Sequence, residues 1–173
     1  RRFEEVILQV PKGRSLKGIN VSTNRGQTSI TNATLENATL NTNSYILRIK
    51  GSRIKNSKLT TPNIVNIFDT DLTDSQLEST KNHFHAENIK VYGKVELSSK
   101  NALSIMLTQK ESQEINLDLS SHHGPIYQLS RDESQRHPNE LSNPYKTEKT
   151  DAKGQLIAKA DDYISLETTA NRP

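Results

Sequence analysis

The sequence predicts an all-β fold: a single β-solenoid, β-helix-like, built of short strands in coils of about nineteen residues. Three observations carry this. Asparagines recur at Asn24, Asn43, Asn63, Asn82 and Asn101, close to the same interval. Apolar residues alternate with polar ones on either side of them, the period of a strand with one face in and one face out. Composition agrees: 31% of residues are hydrophobic and 5% aromatic, with no Trp. That is too little for a thick core but enough for the thin column inside a stack of repeats.

In chain order, Phe3 to Val10 reads as a strand stopped by Pro11-Lys12-Gly13, because Pro lacks an N–H and Gly permits a turn. Residues 1–13 are thus an N-terminal capping strand. Residues 16–129 hold the coils. Leu16, Leu35, Ile54, Leu72 and Ile89 recur, followed five residues later by Val21, Leu40, Leu59 and Leu77. Between them fall small or apolar residues, Ile19, Ala38, Ser57 and Ser75. After each Asn the alternation resumes as Tyr45, Leu47, Ile49, then Val65, Ile67, then Phe84, Ala86, then Leu103, Ile105, Leu107. Each repeat is read as two short strands with a corner between them. Asn suits corners because it tolerates φ > 0 better than most side chains. The expected corner residues are Asn24, Gly26, Asn43, Asn63, Asn82, Asn101 and Gly124, with second corners at Thr31-Asn32, Gly51-Ser52, Thr70-Asp71 and Glu87-Asn88. A further coil uses Ile115, Leu117 and Leu119, then Ser121-His122-His123-Gly124, then Pro125 to Leu129. Residues 130–153 are polar and aperiodic, the mark of a long surface loop. Residues 154–168 read as a C-terminal hairpin turning at Asp161-Asp162. The general preference of crossovers predicts a right-handed stack.

The chemistry-bearing residues are few. His83 and His85 share one strand face, outward because Phe84 between them points in; two imidazoles are metal-ligand candidates without a third ligand nearby in sequence. His122-His123 occupy a turn. Asp69, Asp71 and Asp74 bring oxygen ligands of the kind Ca²⁺ uses, at positions ordinary for turn residues. Asn32-Ala33-Thr34 and Asn37-Ala38-Thr39 fit the N-glycosylation pattern. No phosphate loop, dinucleotide fingerprint, G-x-S-x-G or H-E-x-x-H is present. No Cys is present, so there are no disulfides or thiolate sites, and no apolar run is long enough to span a bilayer. Net charge is +3, with Lys and Arg dispersed among Asp and Glu and no block of like charge, which argues against a nucleic-acid groove. No cofactor is expected.

Ala33-Thr34-Leu35-Glu36-Asn37-Ala38-Thr39-Leu40-Asn41 reads as two tandem A-x-L-x-N units and resembles pentapeptide-repeat proteins, which form square β-helices. That pattern lapses in every second strand. A resemblance covering nearly the whole chain is carried by Val6 to Gly13, by Ile19-Asn20-Val21-Ser22-Thr23-Asn24-Arg25-Gly26-Gln27-Thr28-Ser29-Ile30, and by Gly154 to Leu166. These resemble the bacterial adhesin-type β-strand-repeat family, in which adhesin is a provisional label and the function of the domain is unknown. Asn replaces Gly at most corners here. The resemblance implies a β-helix-like domain on an exported or membrane-anchored protein, without established catalysis.

The expected function is a non-enzymatic cell-surface or envelope domain that binds or senses a surface partner, protein or glycan. It would reach the membrane only through an anchor outside this stretch; the abrupt Arg1-Arg2 start suggests an excised piece. Two alternatives are a carbohydrate-active β-helix lyase or hydrolase, for which Glu78, Lys81, Glu96 and Lys100 would have to converge in one groove, and a structural spacer of a larger envelope protein.

Overall fold

The computed structural model describes residues 4–8, 19–21, 26–130 and 138–169. The fold is all-β and largely parallel, apart from one six-residue helix. In chain order the strands are β1 (Glu4–Leu8), β2 (Ile19–Val21), β3 (Gly26–Thr31), β4 (Thr34–Glu36), β5 (Thr39–Thr42), β6 (Ile46–Lys50), β7 (Arg53–Lys55), β8 (Lys58–Thr61) and β9 (Ile64–Thr73). There follow β10 (Gln76–Ser79), β11 (Phe84–Ser99), β12 (Leu103–Thr108), the helix α1 (Gln109–Glu114), β13 (Ile115–Ser121) and β14 (Ile126–Ser130). The last are β15 (Asn139–Leu141), β16 (Tyr145–Lys146), β17 (Gly154–Ala160) and β18 (Ile164–Thr169).

Each strand pairs in parallel with its counterpart one repeat later. On one side, sheet A, Ile30 lies beside Ile49, Ile49 beside Ile67, Ile67 beside Ala86, and Ala86 beside Ile105. On the other, sheet B, Leu40 lies beside Leu59, Leu59 beside Leu77, and Leu77 beside Leu97. All of these are buried. The expectation of two strands per repeat is corrected here to three. A short third side joins A to B, with Leu35 beside Ile54, Ile54 beside Leu72, and Leu72 beside Val91. Ile89 therefore leaves the Leu column and stacks on Thr70 at the corner before it. The first A-x-L-x-N unit is this short side seen in sequence: Ala33 starts the side, Leu35 points inward, and Asn37 makes the next bend. The second unit, from Ala38, enters β5 of sheet B.

The bends locate the left-handed residues: the expected second corners at Asn32, Gly51 and Asn88 are among them, whereas the recurring Asn43, Asn63, Asn82 and Asn101 are not. Positive φ falls at Asn32, Gly51, Asp69 and Asn88 before the short side, and at Asn37, Asn56, Asp74 and Gly93 after it. Asn43, Asn63, Asn82 and Asn101 lie between strands at the third bend but do not share this conformation. Neighbouring repeats interlock at these bends: Asn88 Nδ2 donates to Asp69 Oδ1 at 2.6 Å, and the backbone N–H of Lys94, next to Gly93, donates to Asp74 Oδ1 at 3.0 Å. Tight bends need residues that accept this backbone, and Asn, Asp and Gly do so at least cost.

Immediately after four of these eight residues, Gly51, Asn56, Asp69 and Asp74, stands a buried hydroxyl, and it is bonded to backbone on both sides. Ser57 Oγ donates to Lys55 O at 2.8 Å and accepts from Ala38 N at 3.1 Å. Ser52 Oγ donates to Lys50 O at 2.9 Å and accepts from Ala33 N at 3.2 Å. Ser75 and Thr70 cap Thr73 O and Phe68 O in the same way. Sharp corners interrupt the sheet ladder, and buried backbone groups left there without partners would be costly. The hydroxyls supply partners for the N–H groups and a further bond to carbonyls that also accept from Asn32, Asn37, Gly51 and Asn56 N. At the third bend Thr42, Thr61, Ser79 and Ser99 are likewise buried.

The C-terminal part departs from the expected order. The predicted hairpin does not form: β17 and β18 are not partners of each other. β17 instead lies between β11 and β13, parallel to both, with Leu156 flanked by Val95 and Leu117. β18 lies between β12 and β14, with Ile164 flanked by Leu103 and Ile126. The last repeat of the chain is thus inserted ahead of residues 115–130. Each of its strands gains two ladders there, where a lone hairpin would keep two edges. Of the predicted loop 130–153, residues 131–137 lie outside the described residues. Within the rest, β15 and β16 add antiparallel to β14 and β13, which covers edges that parallel stacking would leave open. After β12 the short side is absent and α1 takes its place, capped by Thr108 Oγ1, which accepts from Glu111 N at 3.3 Å. The predicted capping strand corresponds to β1, parallel to β3; residues 9–18 lie outside the described residues.

Candidate functional site

Alternation puts every second residue of sheet B outward, and parallel register lines these residues up across repeats. One row reads Asn41, Thr60, Glu78, Ser98 and Lys159; the next reads Thr39, Lys58, Gln76, Glu96 and Ile157. The rows floor an open groove of about 460 Å³ that crosses β8, β10, β11 and β17. Its rim carries Lys100 and Asp161, bonded at 2.6 Å. The Lys100 hydrogen bond holds the Asp161 carboxyl below its ordinary 3.8. Lys94 stands 3.7 Å from Glu96. Charges of both signs alternate with hydroxyls, spaced by the inter-strand distance of about 4.8 Å. Such a surface can hydrogen-bond an extended polar chain at regular intervals. Of the acids and bases required by the enzymatic alternative, Glu78, Glu96 and Lys100 meet here, and Lys81 is not part of the lining.

Sheet A carries a second hollow, of about 420 Å³, lined by Phe68, Asp69, Glu87, Asn88, Met106, Leu107 and Thr108. Arg48 lies over the Phe68 ring at 5.6 Å, and His85 packs against that ring at 5.8 Å. Phe68 occupies an outward position of β9, so alternation alone would have found it.

The remaining candidates are spread over the molecule. His83 is exposed at the third bend and His85 half-buried in sheet A, 3.6 Å from Glu87. His122 and His123 stack edge-to-face at 4.1 Å in the turn after β13. Asp69 and Asp74 are the left-handed residues at opposite ends of one short side, and Asp71 between them faces Arg53 at 4.0 Å. Among the described residues no group of three His, Cys, Asp or Glu could hold a metal. No described helix is long and apolar enough to cross a membrane.

The asparagines do the work of a bend. Register sets Asn63 beside Asn82, and Asn101 N donates to Asn82 O at 3.1 Å. Asn63 Nδ2 donates to Ser44 O at 2.7 Å, and Asn82 Oδ1 accepts from His83 N at 2.9 Å. Asn43 lies in the same bend but out of line, and Tyr45 takes the place beside Asn63. That is why Tyr45 is 56% exposed instead of pointing inward as the alternation predicts. Asn24 lies outside the described residues. Gly26 opens β3 at φ 130. Gly124 passes so close to β17's turn that a Cβ there would lie 2.1 Å from Asp162 O.

No curated protein and no solved structure matches the chain. A family model does, over residues 2–167, which is nearly the whole length. The chain therefore belongs to the Toastrack DUF4097 family, a domain of unknown function.

Proposed function

We propose that this Toastrack domain is a β-solenoid that serves as a non-enzymatic binding module of a bacterial cell envelope, displayed outside the cytoplasm through an anchor lying beyond this stretch. The observation that carries the reading is the groove on sheet B. Its polar rows run straight across four strands, because parallel register repeats each outward position. A groove open along its length, with matched polar groups at each step, suits an extended protein or glycan chain better than an enclosed reacting centre. The resemblance to exported β-strand-repeat proteins supports the envelope placement.

The test titrates the intact chain with soluble glycan oligomers and with unstructured peptides, following both binding and ligand consumption. Binding without turnover, weakened by Glu78→Lys, supports the reading. Ligand cleavage that stops with Glu78→Gln or Glu96→Gln overturns it in favour of a carbohydrate-active enzyme.

A further inference from the structure

From Asn37 to Phe68 the sequence contains five cations and neither Asp nor Glu. Since the whole chain carries +3, the other residues together carry −2. The linear sequence makes these cations look dispersed, two or three positions apart. The fold collects them. Arg48, Lys50, Arg53, Lys55 and Lys58 are the successive outward residues of β6, β7 and the start of β8, and all five are exposed. They form a belt one repeat wide. Because the short side is only a few residues across, Lys50 and Arg53 flank one of its corners, Lys55 and Lys58 the other. Arg48 is engaged with Phe68, which leaves these four as the belt's working line.

We propose that this line binds a linear, phosphate-bearing polyanion laid along the repeat across the short side. It lies on the short side and meets the groove on sheet B only at Lys58, which also lines that groove. Four cations in succession repel one another and gain by meeting a chain of anions, which also releases counterions. Two features select the partner. The neighbouring repeats set Glu36 beside Lys55 and Asp71 beside Arg53. A planar anionic surface such as a lipid bilayer would press against both carboxylates, whereas a single chain runs between them. The outward residues bordering Arg53, Lys55 and Lys58 are Thr34, Glu36, Thr39, Asp71, Thr73 and Gln76. None of these is aromatic, and Phe68, beside Lys50 in register, already carries Arg48 over its ring and packs against His85, which leaves no open platform for sugar rings or bases to stack on. Recognition here rests on charge and hydrogen bonds, the chemistry of a phosphate chain.

The test measures binding of inorganic polyphosphate to the intact chain over a range of salt concentrations. The wild type should bind, with affinity falling steeply as salt rises. The variant K50Q/R53Q/K55Q, which leaves the groove residue Lys58 in place, should bind at least about tenfold more weakly at 0.1 M salt, with its log–log salt slope reduced by about 2. Its melting temperature should change little, since the charges removed are exposed and the Arg53–Asp71 pair at 4.0 Å is screened by solvent. K81Q/K90Q/K110Q, with the same net charge, should bind as the wild type does. Equal losses in both triple variants would reduce the effect to net charge and overturn the proposal. So would a wild type that ignores polyphosphate, or one that prefers anionic phosphatidylglycerol vesicles, polygalacturonate or oligo(dT) at matched charge. The groove variant Glu78→Lys should retain polyphosphate binding, so failure here and failure of the binding-module reading can be told apart.

Discussion

Between Gly26 and Ser99 the chain advances repeat by repeat, three sides at a time, and each strand meets its counterpart in the repeat before it. Between Leu103 and Thr169 it has two sides, a short helix in place of the third, and a final repeat inserted out of order. Both regions bury the same kind of apolar column. They differ in where their closure comes from. In the first, closure is local: left-handed residues make the two bends of the short side, and buried hydroxyls beside Gly51, Asn56, Asp69 and Asp74 bond the neighbouring backbone. In the second, closure comes from a distant segment that must arrive before residues 115–130 are held in their native place. Repeat stacks draw their stability from intrinsic and nearest-neighbour terms, so the two regions should respond differently to damage.

The largest effect should come from removing residues 154–169. This exposes the flanks of β11, β12, β13 and β14 at once and removes the buried Leu156, Ala158, Ile164 and Leu166, each large apolar side chain being worth roughly 1.5–3 kcal/mol. Amide hydrogen exchange is expected to become fast across 103–130 and to stay slow across 46–79. Uniformly fast exchange would show that the first region has no closure of its own, and the contrast would fail. If residues 115–130 stay protected, β13 and β14 have re-paired directly on β11 and β12. The registers allow this, since Leu117 and Val95 both face Leu156.

A smaller loss should follow Ser57→Ala. The change keeps the shape of a small side chain but takes from buried Ala38 N the bond it makes to Ser57 Oγ, while Lys55 O keeps the bond from Asn37 N at 3.0 Å. Unsatisfied buried groups cost about 1–3 kcal/mol, so chemical denaturation should show a loss of that size without a change in m. An effect below about 0.5 kcal/mol would mean that the corners are closed by backbone geometry alone.

How far the sequence discloses the molecule follows the same division. Leu35, Ile54 and Leu72, and Leu40, Leu59 and Leu77, mark the first region because each repeat must fill the same inward place. The hydroxyls were visible too: Gly51-Ser52, Asn56-Ser57, Asp69-Thr70 and Asp74-Ser75 pair a bend former with Ser or Thr four times in succession. The third side was hidden because five residues are too few for alternation to separate two strands. The role of the asparagines was half legible. A recurring Asn marks a bend, but Asn63 and Asn82 serve through side-chain hydrogen bonds, while Asn32, Asn37 and Asn56 serve through their backbone. The insertion of β17 and β18 was not legible at all. Their alternation fits any neighbour of the same register, and local sequence cannot say which neighbour is chosen. The groove on sheet B was partly foreseen through Glu78, Glu96 and Lys100, but Lys159 and Asp161 reach it only by way of that insertion.

The smallest expected effect sits on the seam between the two regions. Lys100, just after β11, holds Asp161, the first residue after the inserted β17, at 2.6 Å. The pair joins the last locally closed repeat to the segment that closes the rest. Its carboxyl is held below the ordinary 3.8, so the charged form is favoured by folding. The contribution is therefore present above the unfolded value and is lost as pH falls through the lower folded value. Both side chains are substantially exposed, and solvent screening keeps the contribution small. The expected outcome is a slight weakening of the inserted repeat at acid pH, read as faster exchange of amides in β17 between neutral pH and about pH 3, after correction for the intrinsic rate. Asp161→Asn should show that weakening already at neutral pH and lose the acid dependence specific to β17. Amides in β8 should change equally in both proteins, since that strand is closed by Ser57 and Thr61, which do not titrate. If β8 and β17 follow one acid profile in the wild type and the variant alike, the seam carries no separate closure, and the two regions open as one unit.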